Sequence, residues 1–297
     1  MTQYLNSCPV CGNQHFHDYL ECEDFTVTKE RFILNECDAC GFVFTNPRPT
    51  IGGIGAYYQS EDYISHTNSN KGIKNKAYQW VRRRAIRSKL SMIEEQGTLP
   101  KTLLDYGCGT GEFLGYAQAS GWLVKGLELD PEARARAIMN HKIDVKDPTQ
   151  LYAFSDGQFG AITMWHVMEH IHDLVPTIRE FHRILSSEGV MIIAVPNYKS
   201  TDAGHYGPFW AAYDVPRHLY HFSKSSVSLL MEKNGFKVKA VNSLFFDPFY
   251  ISLLSEKYKN GWSNPIKAAW IGLKTTLKGR KNIEANSSLV YIVKKSS

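Results

Sequence analysis

From Lys101 onward the apolar positions alternate between two patterns. Short, nearly continuous apolar runs recur as "TLLDY", "WLVKGLEL", "HKIDVK", "FGAITMWH", "GVMIIAVPN", "FKVKAVNSLF" and "SSLVYIVKK". Between them lie stretches with apolar residues at helical spacing, "GEFLGYAQAS", "DPEARARAIMN", "DLVPTIREFHRIL" and "SKSSVSLLMEKNG". Asp130 caps the second of these with Pro131 in its first turn, and Gly235 stops the last. Continuous rather than alternating strands predict a parallel sheet buried on both faces, with helices as the covering layers. Ligands of such sheets sit beyond the carboxyl ends of the strands. Asp105, Glu128, His166 and Asn197 fall at those ends.

Before Lys101 the pattern changes. "FILNECDACGFVFTNPRP" reads as strand, tight turn, strand and exit. Cys37 and Cys40 in it repeat the Cys-x-x-Cys spacing of Cys8 and Cys11, with twenty-five residues between the two knuckles, and Gly12 and Gly41 follow. Two such knuckles supply four thiolates to one tetrahedral ion and leave no position open, which describes a structural zinc site. Cys22 and Cys108 are left over as buried thiols. A module this small buries too little to stand alone, so metal binding is expected to supply its stability. "NPRPTIGGIGAYYQSEDYISH" reads as a connection, and a helix follows over about Asn75 to Gln96, stopped by Gly97 and Pro100. The expected organisation is therefore a zinc-binding module over 1–46, a linker and helical cap over 47–100, and an α/β domain over 101–297. A helical insertion spans about 247–286. In it Ile266, Trp270, Leu273 and Leu277 share one helical face, expected to pack over an acceptor pocket or to lie on a membrane surface.

Composition narrows this modestly. The chain has 297 residues, 43% of them hydrophobic and 21% charged, with a net charge of +5. No apolar run approaches the roughly 18 residues of a membrane span, and the start lacks signal-peptide character, so the reading is cytoplasmic. In that compartment six cysteines suggest metal or catalysis before disulfides. Between Asp62 and Glu94 there is no acid but there are eight lysines and arginines. Arg82, Arg83 and Arg84 are consecutive and so fan around a helix, which argues against a nucleic-acid stripe.

"LLDYGCGTGEFL" decides the ligand class. Gly107, Gly109 and Gly111 form a turn after a strand. A phosphate loop would follow Gly111 with Lys and Ser or Thr, and a dinucleotide fingerprint starting at Gly107 would require glycine where Glu112 stands. Carboxylates at Asp105 and Glu112 repel phosphate and tolerate a cation. Glu128, at the end of the second strand, suits a ribose diol. "LLDYGCGTGEFL" followed by "GLELDPEARARA" resembles the first two motifs of the class I S-adenosylmethionine-dependent methyltransferases, and the resemblance runs from Lys101 to about Ala240. It implies a Rossmann-like sheet of six parallel strands and one antiparallel strand, and a cofactor over Gly107, Cys108, Gly109 and Gly111. It further implies that Glu128 and Leu129 flank the ribose, that Asp105 positions the methionine end, and that Trp165 and His166 line the far side. The residues of the connection itself, Tyr63 and His66 among them, suit either packing of that linker against the domain or a loop that closes over the ligand. Gly160 departs from the family, which commonly has Asp there. The cysteine module followed by "NPRP" is similar to a bacterial subgroup with an N-terminal zinc-binding region, some of whose members act on sugars or other small molecules.

Methyl transfer from a sulfonium needs alignment, and an oxygen or carbon acceptor must also lose a proton. His166, in "WHVMEHIHD", is the first candidate base. His221, in "RHLYHFS", is the second. The Glu169–His170 pair resembles a loop of ubiquinone-pathway O-methyltransferases, and it leaves a catalytic metal open. The long aromatic segment "NYKSTDAGHYGPFWAAYDVPRHLYHFS" is expected to form a lid or acceptor wall. The expected function is methylation of a small polar acceptor such as a sugar, on oxygen or carbon. Contact with a membrane or a lipid-linked substrate is a further possible partner. The rivals are an RNA methyltransferase with a zinc recognition module, which the modest charge disfavours, and a non-catalytic cofactor-binding scaffold.

Overall fold

The computed structural model describes residues 1–59 and 73–296, and within the first long helix it describes side chains from Arg83 onward. The chain opens with β1 (Thr2–Gln3), then β2 (Phe16–Glu23), β3 (Arg31–Cys37), β4 (Val43–Thr45) and β5 (Arg48–Pro49). β2, β3 and β4 are antiparallel, and β1 pairs separately with β5. Helix α1 (Ile73–Glu94) leads into the main sheet.

The main sheet begins with β6 (Thr102–Tyr106), α2 (Glu112–Ala119), β7 (Leu123–Leu127), α3 (Pro131–His141), β8 (Asp144–Lys146) and β9 (Phe159–Trp165). It continues through α4 (Leu174–Ile184) and β10 (Leu185–Pro196). After β10 come α5 (Thr201–Tyr206), β11 (Tyr220–His221), α6 (Lys224–Lys233), β12 (Phe236–Ser243), α7 (Asp247–Asn260), α8 (Pro265–Lys281) and β13 (Ser288–Lys295). Seven strands form one sheet in the order β12-β13-β10-β9-β6-β7-β8. Those from β6 to β10 pair in parallel, and β13 inserts antiparallel to both β10 and β12.

Side-chain alternation sorts the sheet into two apolar layers. Leu104, Ile162, Met164, Met191 and Ile193 pack with Ile178 and Phe181 of α4 and Leu230 of α6. Leu103, Ala161, Val190 and Ile192 face the other way, onto Leu90 and Ile93 of α1 and Phe113, Leu114 and Ala117 of α2. Gly160 now has a reason. A Cβ there would stand 1.9 Å from the carbonyl oxygen of Pro100, so the close approach of the α1–β6 connection forbids any side chain.

A third apolar cluster joins the N-terminal strands to the rest. Cys22, Phe32, Leu34 and Val43 pack with Tyr206, Trp210, Tyr213 and Val215 of the segment after β10, and with Ile251 and Ile271 of α7 and α8. The aromatic segment expected to be a lid is therefore the buried joint between the cysteine module and the helical insertion. β11, from the same segment, adds to β4 as the fourth strand of the N-terminal sheet. Arg217 is sunk in this joint, pairing with Asp24 at 2.9 Å and Asp214 at 2.7 Å and donating to the Tyr57 carbonyl. Among the described residues no helix is long and apolar enough to cross a membrane.

Candidate functional site

β6 lies between β9 and β7, where the strand order reverses, and such a switch point opens a crevice at the carboxyl ends. The glycine turn after β6 forms its floor. Gly107 has φ +76°, and a Cβ on it would stand 2.4 Å from Val167; Gly111 has φ +78° and would meet Ala137 at 2.9 Å. Glycine is thus required at both positions by conformation and by space. Parallel register sets Asp105 beside Thr163, whose hydroxyl donates to its carboxylate at 2.6 Å. Burial pushes the Asp105 carboxyl up to about 7, against the pull of that hydrogen bond and of Lys89. The Glu128 carboxylate accepts from the amides of Gly109 at 2.7 Å and Asp130 at 2.9 Å, so it braces the turn and keeps lone pairs for a diol.

On the β9 side, His166 has φ +58°, a strained conformation for a side chain of this size, and donates its amide to the Ala194 carbonyl. Its imidazole lies between two carboxylates. Nε2 is 3.1 Å from Asp247, the first residue of α7, and Nδ1 is 3.6 Å from Glu169. Burial opposes a charge here, but the two carboxylates outweigh it and hold His166 up to about 10. Glu169 is buried, and neither of its oxygens has a hydrogen-bond partner among the described residues. Burial would raise its carboxyl, but His166, His218 and His170 hold it below its usual value. His170 Nδ1 contacts the Arg217 carbonyl and His218 Nδ1 the Ala212 carbonyl, each at about 3 Å, which aims both Nε2 atoms inward. Glu169, His170 and His218 bring potential ligand atoms within 4.8 Å of one another.

The four N-terminal cysteines converge as the spacing predicts. Cys8 Sγ is 3.6 Å from Cys40 Sγ, and Cys11 Sγ is 3.5 Å from Cys37 Sγ. A tetrahedral shell with 2.3 Å metal–sulfur bonds has edges of about 3.8 Å, so the donor set fits one ion. Gly12 and Gly41 close the knuckles by donating their amides to Cys8 and Cys37, with φ of +79° and +65°. Cys22 stands apart, buried in β2.

The other expected site residues divide. Gly109 and the buried Cys108 sit in the turn, with Cys108 Sγ filling the space that a Cβ on Gly126 would need. Leu129 is exposed beside the Glu128 corner. Trp165 carries the Lys89 ammonium over its ring at 4.3 Å, with Phe113 at its edge. Tyr63 and His66 lie outside the described residues. His221 is buried in β11 with Nε2 facing the Thr45 hydroxyl, and burial together with His218 drives its pKa well below the usual imidazole value. It backs the His218 side of the site instead of facing the glycine turn. Asn197, at a strand end, ties the carbonyls of Glu284 and Asn286 ahead of β13 and takes no part in the crevice. Lys89 and Asp247 escaped sequence reasoning. Lys89 was one of eight basic residues in its stretch, and Asp247 sits 81 positions from its partner His166.

Residues 78–241, more than half of the chain, match the family model described as methyltransferase domain. The ubiquinone biosynthesis O-methyltransferase of Pseudomonas paraeruginosa is 26% identical over 56% of this chain and 75% of that protein. Among solved structures, geranyl diphosphate methyltransferase in complex with SAM aligns with a TM-score of 0.54 and 16% identity, covering 80% of this chain and 95% of that one. A putative sarcosine dimethylglycine methyltransferase from Galdieria sulphuraria aligns with a TM-score of 0.52 and 18% identity over 72% of this chain and 86% of that one. These two structures bear on the fold alone.

Proposed function

We propose, from the premise that this chain belongs to the methyltransferase-domain family, that its acceptor is a small polar molecule methylated on a hydroxyl oxygen. The chain is an S-adenosylmethionine-dependent methyltransferase. The observation that carries the finer reading is the Asp247–His166–Glu169 array, a proton acceptor placed at the end of β9 beside the glycine turn. The cofactor supplies an activated methyl group for in-line displacement. The protein's part is to bind, to orient and to take the acceptor's proton. Glu128 holds the ribose hydroxyls, Asp105 faces the cationic methionine end, and Lys89 gives that end a partner for its carboxylate. His166 keeps its resting proton on Nε2, against Asp247, and takes the hydroxyl proton at Nδ1; Asp247 and Glu169 stabilise the imidazolium that results, as a buried carboxylate does for a triad histidine. Cys8, Cys11, Cys37 and Cys40 hold a structural zinc.

The donor chemistry of Glu169, His170 and His218 also suits a divalent ion, which would neutralise a developing alkoxide. A second equivalent of bound metal, retained in Cys37→Ala and lost in Glu169→Gln, would move the assignment from base to Lewis acid.

The reading is tested in two steps. Calorimetric titration should show one site for S-adenosylmethionine or S-adenosylhomocysteine per chain; no heat and no thermal shift would sink it. A screen of hydroxylated small molecules for S-adenosylhomocysteine release then names the acceptor, and turnover only on RNA would replace it.

Asp105 makes the binding step pH-dependent. Its carboxyl titrates near 7 in the free protein because it is buried. A cationic ligand stabilises the ionised form, so its pKa falls on binding and protons are released. Affinity should therefore strengthen as pH rises through 7 and weaken below it. In Asp105→Asn that dependence should flatten and affinity should drop by about tenfold or more, the loss of one buried charge pair. An unchanged pH profile in the variant would remove Asp105 from this role.

A further inference from the structure

Helix α8 is packed inside out. The face it turns to the protein consists of Ala268, Ile271, Gly272, Thr275, Thr276 and Gly279. Space requires those glycines, since a Cβ on Gly272 would stand 2.7 Å from Phe249 and one on Gly279 would stand 2.2 Å from Asn286. Apart from Ile271, the large apolar residues point the other way. Ile266 is 82% exposed, Trp270 66%, Leu273 43% and Leu277 49%. The stripe that sequence patterning expected either over a pocket or on a membrane surface is thus turned outward. At 100° per residue those four side chains span a stripe of roughly 60°. Lys267, Lys274, Lys278 and Lys281 follow along one flank, Arg280 lies on the other, and no acid occurs between Pro265 and Lys281. Leucine and tryptophan beside a row of lysines is the composition of a helix that lies in a bilayer interface.

A second feature adjoins it. Beside the lysine flank a cavity of about 460 Å³ is lined by Lys199, Thr201, Lys278, Lys281, Asn282 and Glu284. Three lysines and one glutamate line it, and the Glu284 carboxylate is drawn 3.4 Å from Lys224. The cavity therefore has a net positive lining next to an apolar strip, which matches an anionic headgroup continuing into an acyl chain.

We propose that this face of α8 docks the protein on an anionic lipid bilayer, with the stripe at the acyl boundary and the lysines among the headgroups. The charge of the flank chooses this occupant over a second copy of the chain, because two such faces would set lysines against lysines. The surface is separate from the crevice, so the inference does not depend on the acceptor.

The test is co-sedimentation of the whole chain with phosphatidylglycerol–phosphatidylcholine vesicles and with phosphatidylcholine vesicles. The protein should pellet with the first and stay in solution with the second, and added salt should release it. Lys274→Glu combined with Lys278→Glu should lower partitioning by about thirtyfold or more, from two residues at about 1 kcal/mol each near the surface, and Trp270→Ser combined with Leu273→Ser should separately lower it by about tenfold or more through lost apolar burial. Both pairs are exposed, so melting temperature and cofactor binding should not change. Wild-type protein that fails to pellet with the anionic vesicles would overturn the proposal. So would partitioning that neither variant alters, or a dimer seen by light scattering that the Trp270 variant abolishes.

Discussion

If the four cysteines hold zinc as proposed, Cys37→Ala should cost the protein that zinc and most of its turnover together. Wild-type protein should carry about one zinc per chain, and the variant none, by elemental analysis. β2 is only partly buried and β4 is three residues long, so four metal–thiolate bonds would supply much of the stability of this small sheet. The consequence reaches the crevice because the sheet they form is shared. Tyr220 and His221 pair with β4, the Thr45 amide donates to the Leu219 carbonyl, and the Thr45 hydroxyl donates to the His218 carbonyl at 2.8 Å. Leu219 in turn donates its amide to the Glu169 backbone carbonyl. A loosened β4 therefore releases the backbone that aims His218 at Glu169. Binding free energies of structural zinc in small modules, on the order of 10 kcal/mol or more, rival the whole stability of a domain. The expected result is a lower melting temperature, faster amide exchange over both 31–45 and 217–222, and turnover reduced by at least about tenfold. A variant that loses zinc yet keeps wild-type exchange over 217–222 would show that module and site are independent.

Much of this was legible in the sequence because the signals were local. The strand–helix alternation, the glycine turn, the cap at Asp130 and the two knuckles each lie within a dozen residues, and each has a physical reason that depends on near neighbours. The resemblance carried by "LLDYGCGTGEFL" named the cofactor, and the strand pattern placed Glu128 at a strand end where the structure also has it. What escaped was the pairing of distant parts. Nothing near residues 43–45 indicates that their fourth partner strand is at 220–221. Trp210 and Tyr213 look like a wall for an acceptor, and they bury into the joint because the N-terminal strands supply an apolar face for them. Asp247 marked only the start of the insertion in the sequence reading and proves to be the partner of His166. The inside-out packing of α8 was invisible for a related reason. Periodicity finds the large apolar stripe of a helix, but whether that stripe or the small-residue face turns inward depends on how closely α7 approaches.

His166→Ala should lower turnover by about 100-fold or more, the usual worth of a positioned base, while leaving cofactor affinity within a few fold, since no cofactor-holding group named above bonds to its side chain. The pH profile separates a base from a packing residue. Asp247 and Glu169 hold His166 up to about 10, so at neutral pH the imidazole is mostly protonated and only its minor neutral form can accept the hydroxyl proton. Turnover should therefore climb through neutral and alkaline pH and level off near that value. Asp247→Asn removes one of the two carboxylates that favour the imidazolium, so the rising limb should move to lower pH and more of the base should be available at pH 7. The same change weakens stabilisation of the protonated product, so the plateau should fall. A substitution that merely loosened the pocket would lower the rate at every pH without moving the limb. His166→Ala should erase the limb altogether, and its survival there would assign the proton to another group, with His218 the next to test. The arrangement trades resting availability for basicity. An imidazole bracketed by carboxylates is seldom free, but when free it is strong enough to draw a proton from a hydroxyl as the methyl arrives.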